Sequence, residues 1–276
     1  MRGSRVLSAT FGYLGLTVAA LFFLLPLLWI AVTSLKTPEQ LFQYPPRWWP
    51  ERPTLENYAY LFSKMPFLRY SFNSLKVAGL STLGSVASCS LAAYAFARLR
   101  FAGRTPLFYL LLATLMIPYQ VTMIPVFILM RSLGWVDTYY PLIVPWFLGG
   151  AFGTFLLRQF FLTIPAELDD AAKIDGCSAF GIYRRIYLPL AGPALTALAI
   201  FVFMFQWNDL LTPVIYLSDP DKFTLTLGLA FFKGTVVTRW NLIMAGAVIS
   251  AVPILIMYAA AQRYFVQGVA LTGLKG

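Results

Sequence analysis

The sequence predicts an all-α polytopic membrane protein with six transmembrane helices, and three observations predict it. Of 276 residues, 59% are hydrophobic and only 12% charged, about half the ~25% charge of an ordinary soluble domain. Several apolar runs reach the roughly 20 residues that a helix needs to cross about 30 Å of hydrocarbon. Between those runs lie shorter segments that collect most of the charge. The chain reads as one domain, residues 1–276.

The first span covers about residues 11–32, roughly 33 Å as a helix at ~1.5 Å per residue. The apolar run after Arg2 and Arg5 is longer than the ~7–15-residue core of a signal peptide, and no Ala-x-Ala site follows it. No cleavable signal is expected. In the polar segment at 34–70, Tyr44-Pro45-Pro46-Arg47-Trp48-Trp49-Pro50 has the composition of extended chain at the headgroup level. Thr54 can N-cap a short helix over 55–62 along the outer surface. The second span, about 72–96, carries Lys76 near its outer end, where the stem can snorkel. Its Ser81, Ser85, Ser88 and Ala92 recur at helical spacing, a face suited to close helix packing.

Arg98, Arg100 and Arg104 form an acid-free basic loop before the third span, about 107–130. That span contains Met116-Ile117-Pro118 and Met123-Ile124-Pro125. Each proline removes a helix hydrogen bond, which predicts a kink, with a broken helix beside a pathway as the alternative. The fourth span, about 140–157, includes Gly149, Gly150 and Gly153, positions for close packing or flexing. The fifth, about 190–211, ends in Gln206-Trp207-Asn208-Asp209; a polar segment at 218–239 leads to the sixth, about 242–263, and a short tail.

The most informative stretch is the loop at 163–189, which reads as two short helices joined by a hinge. Pro165 suits a first helical turn, and Glu167, Asp169 and Asp170 complement the helix dipole there. Ala171 and Ala172 are small enough for another surface to approach closely. Asp175 precedes Gly176, which sits where a left-handed cap would end the helix. Ser178 can N-cap a second helix that carries Arg184 and Arg185 and stops at Pro189.

The pattern Asp170-Ala171-Ala172-x-x-x-Gly176, followed by Ile186-Tyr187-Leu188-Pro189, resembles the "EAA" loop of permease subunits in binding-protein-dependent ABC importers. Its first position is usually Glu and is here Asp170, one methylene shorter. The resemblance covers most of the chain. Asn73-Ser74-Leu75, Ala92-Ala93-Tyr94-Ala95-Phe96-Ala97-Arg98, Met116-Ile117-Pro118, Trp207-Asn208-Asp209 and the ending from Gln262-Arg263-Tyr264-Phe265-Val266 to Lys275-Gly276 look like MalG-type subunits of the carbohydrate-uptake branch. It implies the type I importer (MetI-like) permease fold in a bacterial or archaeal inner membrane. It also implies a second, MalF-type permease subunit, two ABC ATPase subunits and an extracytoplasmic solute-binding protein. The loop then becomes a coupling helix that docks on an ATPase, its acids facing Arg or Lys of that partner. The tail from Gln267 would reach between the ATPases or simply fray.

Trp207, Asn208 and Asp209 are candidates to line the outer half of a sugar path, since aromatic faces stack on sugar rings and polar groups meet hydroxyls. An interfacial belt position explains them as well.

The charge of +10 is scattered over many short loops, which points to anionic lipid and not to nucleic acid as the partner surface. The chain has no histidine, hence neither the commonest general base nor the commonest transition-metal ligand. Neither an enzyme nor a metal site is expected. Cys89 and Cys177 fall in a span and a loop, so no disulfide is expected between them. No Gly-x-x-x-x-Gly-Lys-Ser/Thr loop occurs; ATP and Mg would be bound by partner subunits and no cofactor by this chain. An ATP-independent transporter or channel is the rival class, but it usually buries ionisable groups deep in its spans, and here Lys76 and Asp209 lie near span ends. Lys/Arg bias in short loops, from Arg2, Arg5, Arg98–Arg104, Arg263 and Lys275, places both termini in the cytoplasm.

Overall fold

A computed structural model describes the backbone of residues 2–232 and 239–273, and side chains mainly within residues 12–259. Residues 233–238 of the outer polar segment lie outside that description. So do the side chains of Arg2, Arg5 and Arg263, all of Lys275, and the side chains of the tail from Gln267.

Every regular element among the described residues is helical. In chain order these are α1 (Arg2–Thr33), α2 (Pro38–Leu41), α3 (Glu56–Lys64), α4 (Phe67–Arg98), α5 (Arg104–Ala113), α6 (Tyr119–Ser132), α7 (Tyr140–Ile143) and α8 (Ala151–Thr163). They continue as α9 (Glu167–Ile174), α10 (Ala179–Ile182), α11 (Leu188–Leu190), α12 (Gly192–Asn208), α13 (Leu211–Tyr216), α14 (Leu225–Ala230) and α15 (Trp240–Gly273). Four candidate spans are long and apolar enough to cross a membrane: Gly12–Thr33, Phe67–Arg98, Tyr140–Thr163 and Trp240–Ala259. Two bent pairs bring the number to as many as six if each pair counts as one span: Arg104–Met116 with Tyr119–Ser132, and Ala179–Leu190 with Gly192–Asn208. The protein is an all-α polytopic membrane protein.

The chain packs as two compact units, Met1–Phe67 with Leu229–Pro253, and Leu68–Gly228 with Ile254–Gly276. In the first unit the middle of α1 buries none of its apolar residues within the chain, as suits a helix solvated by hydrocarbon. Beyond it the polar segment is held by a knot of side chains. Asn57 Nδ2 donates to Ser34 O (2.7 Å) and Lys36 O (2.9 Å), and Asn241 Nδ2 donates to Asn57 Oδ1 (2.6 Å). Lys36 Nζ donates to Arg47 O (2.6 Å) and lies 4.7 Å from the Trp29 ring centroid; burial lowers its pKa. The short outer helix is α3, two residues later at its C-terminal end than expected, with Thr54 Oγ1 accepting only from Glu56 N.

In the second unit α4 is the post against which the other helices are built. The expected kink at Pro118 is instead a full break. Ile117 and Pro118 are both extended, and the flanking helices meet at 100°. The reason is local: the residue before proline is driven out of the helical region, and Pro118 then has no N–H to continue the helix. The fourth span is also interrupted, by a 3-10 stretch at Val144–Leu148 and by Gly149. The serine face of α4 serves that interruption, beyond simple close packing. Ser81 Oγ donates to Leu142 O (3.1 Å) and Ser88 Oγ to Trp146 O (3.2 Å), while Cys89 Sγ accepts from Gly150 N (3.2 Å). Gln206 of α12 adds bonds to Ser81 Oγ and Leu142 O. Backbone groups freed inside hydrocarbon must find partners, and α4 supplies them.

The core of this unit gathers Cys89, Ala93, Tyr94 and Ala97 of α4, Leu157 and Phe161 of α8, Ala172 of α9, Ile182, Tyr183 and Tyr187 beyond it, and Leu198 and Val202 of α12. Both cysteines are free. Near the opposite end of these helices, Asp137 ties down the 216–222 segment. Its Oδ1 accepts from Ser218 N and Asp219 N, and its Oδ2 from Lys222 Nζ at 2.7 Å.

Candidate functional site

The stretch from Thr163 to Ala191 folds into an elbow. Pro165 and Ala166 precede α9, which begins at Glu167 and spans Glu167–Ile174. The helix is therefore roughly 12 Å long at ~1.5 Å per residue, against about 16 Å for the expected 165–175. Its end is a Schellman cap: Cys177 N donates to Ala172 O (2.9 Å) and Gly176 N to Lys173 O (3.0 Å). This closure needs Gly176 at φ +78°, which glycine adopts without a Cβ penalty. Ser178 then caps the second helix, its Oγ accepting from Gly181 N at 3.2 Å.

Pro189 does not stop that helix. The chain runs from α10 through a π turn at Tyr183–Tyr187 into α11 and ends at Leu190. The wider π turn leaves Pro189 near the start of the next helical piece, where a missing N–H is tolerated. The bend comes afterwards, 78° into α12.

Successive side chains of α9 are turned by about 100° around the helix axis, which divides them between an inner and an outer face. Asp169 (8% exposed) and Ala172 (7%) point into the core of their unit. Asp170 points out and pairs with Lys173 at 3.0 Å, an exposed contact of little energetic weight. Glu167, Ala171, Asp175, Arg184, Arg185 and Pro189 are also exposed. Thus the elbow brings Glu167, Asp170, Ala171 and Asp175 together on an outer surface, with Arg184 and Arg185 on its second limb, and sends Asp169 and Ala172 inward. The outer surface has an apolar component that charge counting missed: Leu168 is 40% exposed, Ile174 86% and Phe180 62%. Large apolar side chains at Leu168, Ile174 and Phe180 in a stretch rich in charge were the signal that could have found it.

Trp207, Asn208 and Asp209 sit at the far end of α12, about 22 Å along the helix from the elbow, and do not share one face. The Trp207 ring is buried and stacks on Phe203 (5.7 Å, 13°). Asn208 is exposed and its Nδ2 donates to Met204 O of the same helix (2.7 Å). Asp209 is half-buried and its Oδ1 accepts from Thr212 N in the first turn of α13. No group of three or more His, Cys, Asp or Glu among the described residues is arranged to hold a metal ion.

Broken apolar spans held by a polar post, with a capped charged elbow leading into one of them, define a polytopic helical membrane protein. The chain belongs to the binding-protein-dependent transport system inner membrane component family, whose model matches residues 84–271. It is 39% identical over 228 residues to the arabinooligosaccharides transport system permease protein AraQ of Halalkalibacterium halodurans, covering 82% of this chain and 81% of that protein. It is 36% identical over 254 residues to the sulfoquinovosyl glycerol transport system permease protein SmoH of Agrobacterium fabrum, covering 92% and 89%. Its fold is similar to a chain in the crystal structure of a bacterial ABC transporter involved in the import of the acidic polysaccharide alginate, with TM-score 0.82, 24% identity and coverage of 96% and 98%. That structural likeness concerns the fold.

Proposed function

We propose that this chain is a permease subunit of an ABC importer, forming half of the membrane pathway for a sugar or a related polyol or sugar phosphate. Import is driven by ATP hydrolysis on separate ATPase subunits, which bind the ATP and Mg. A second permease subunit completes the pathway and an extracytoplasmic binding protein delivers the solute. The observation that carries this reading is the outer surface of the elbow. Leu168, Ala171, Ile174 and Phe180 expose apolar surface among the exposed charges of Glu167, Asp170, Asp175, Arg184 and Arg185. An exposed apolar patch rimmed by charge marks a protein contact. Charged rims then steer and orient the partner.

In this reading both termini and the elbow are cytoplasmic, in a bacterial or archaeal inner membrane. ATP-driven closing of the ATPases moves α9, the second limb follows across Gly176, and the displacement enters α12 through the bend at Ala191. Asn208 and Asp209 lie toward the outer mouth of the path, and Trp207 shapes it from behind.

The test is uptake of the solute that stabilises the neighbouring binding protein, in cells with and without the ATPase gene. Uptake should vanish on deletion, and Asp170→Arg or Gly176→Pro should lower both uptake and ATPase co-purification at least tenfold. Uptake that persists without any ATPase would identify an ATP-independent transporter instead.

A further inference from the structure

The inner face of the elbow carries charge that a docking surface does not use. Asp169 is buried beside Arg98, the last residue of α4, whose side chain is 12% exposed. Arg98 Nη2 donates to Phe161 O at 2.7 Å and also to Ile164 O, the carbonyls that end α8. In the other direction Arg158 of α8 donates from Nε to Phe96 O of α4 at 3.2 Å. The C-termini of α4 and α8 thus lie side by side, and each helix offers a cation to the other's last carbonyls. Two aligned helix ends would otherwise repel and leave carbonyls unpaired.

Onto this clasp the elbow makes an incomplete junction. Arg98 Nε is 3.9 Å from Asp169 Oδ2, and the guanidinium lies 5.2 Å from the centre of the Tyr187 ring. Arg98 Nε and Asp169 Oδ1 are both buried without a hydrogen-bond partner, and the Tyr187 hydroxyl is directed at the Asp169 carboxyl. Buried donors and acceptors left unpaired are costly. Here Arg98 Nε and Asp169 Oδ2 stand about 1 Å beyond the distance of a charge-assisted bond. A small displacement of α9 toward α4 completes the pair; the reverse displacement breaks it.

We propose that Arg98 is a positioning residue with two settings, and that its junction with Asp169 passes the displacement of α9 to the ends of α4 and α8. This rests on the coupling role of the elbow proposed above, and adds a second route beside the covalent one into α12. Because Asp169, which faces inward, and Asp170, which faces outward, are consecutive residues of one helix, a push on the outer face acts on the junction directly.

The experiment uses the full complex of both permeases and two ATPases in nanodiscs, reading ATP hydrolysis with and without the binding protein. Arg98→Gln and Asp169→Asn should retain ATPase co-purification and basal hydrolysis within twofold, yet lose at least fivefold of the stimulation by the binding protein. Arg98→Lys, which keeps the charge but not the planar fork, should recover part of it. The double variant should be no worse than either single, as expected for residues acting as a unit. Unchanged stimulation in Asp169→Asn overturns the proposal, since that variant leaves the bonds of Arg98 to Phe161 and Ile164 intact. Failure of Asp169→Asn to fold, or to retain the ATPase, overturns it as well by assigning Asp169 to stability or to docking. A wild-type chain that co-purifies with no ATPase sinks the coupling role itself and is distinguishable from all of these.

Discussion

Asp169 and Asp170 are chemically identical neighbours, and their surroundings divide them: one faces Arg98 in the core, the other faces Lys173 in water. The same contrast holds for glycines. A Cβ on Gly153 would lie 2.8 Å from Cys89 Sγ and 3.0 Å from Leu198 Cδ1, so this residue sets how closely α4, α8 and α12 approach. Gly153→Val should overpack that contact and cost about 1–3 kcal/mol, read as a lower denaturation midpoint in detergent. Asp137 makes a pH prediction. The Lys222 ammonium, then the amides of Asp219 and Ser218, hold its carboxyl down from the ordinary 3.8 to about 2. A depressed native pKa stabilises above the ordinary carboxylate range and is lost as pH falls through the native value. The wild-type melting temperature should therefore drop between pH 4 and pH 2 by more than that of Asp137→Asn, measured in the same detergent.

At the scale of elements, the interrupted helices show how the chain breaks a span inside hydrocarbon. Gly149 stands at φ 85°, ψ 154°, a region open essentially to glycine alone. A Cβ there would meet nothing within 4 Å, so Gly149→Ala isolates backbone strain from crowding. It should cost about 1–3 kcal/mol, seen as a loss of thermal stability without a change in assembly. The serines of α4 make the complementary case. Ser81→Ala removes one of the donors to Leu142 O but leaves Gln206 in place, so about 1 kcal/mol should be lost. Gln206→Leu should lose a similar amount, and the two effects should not add, because both side chains share one acceptor. Equal and additive losses would show that the two bonds are independent.

For the whole molecule, the bias of Lys and Arg in short loops and the position of the elbow make one testable statement about sidedness. Cys177 lies half-buried in the elbow and Cys89 is buried in the core. A membrane-impermeant maleimide should label Cys177 in inverted vesicles and not in intact spheroplasts, with Cys177→Ser as the unlabelled control. Labelling from the outside would reverse the orientation and remove the elbow from reach of any ATPase. The exposed apolar length of α1 suits a helix solvated by lipid.

Much of this was legible in the residues alone. Apolar runs of spanning length, the glycine that caps α9 and the serine that caps α10 depend on interactions within a few residues, so local chemistry was sufficient to read them. The break at Pro118 was half legible: a proline forbids one hydrogen bond, but whether a helix bends or separates depends on what packs around it. Pro189 misled because a π turn shifted it to a harmless position. The inward turn of Asp169 could not be read locally at all, since its partner Arg98 is 71 residues away in the chain (169 − 98). Membrane insertion follows from composition, which the sequence carries whole. Which acid faces outward and which faces the core is a matter of packing, and only the assembled helices decide it.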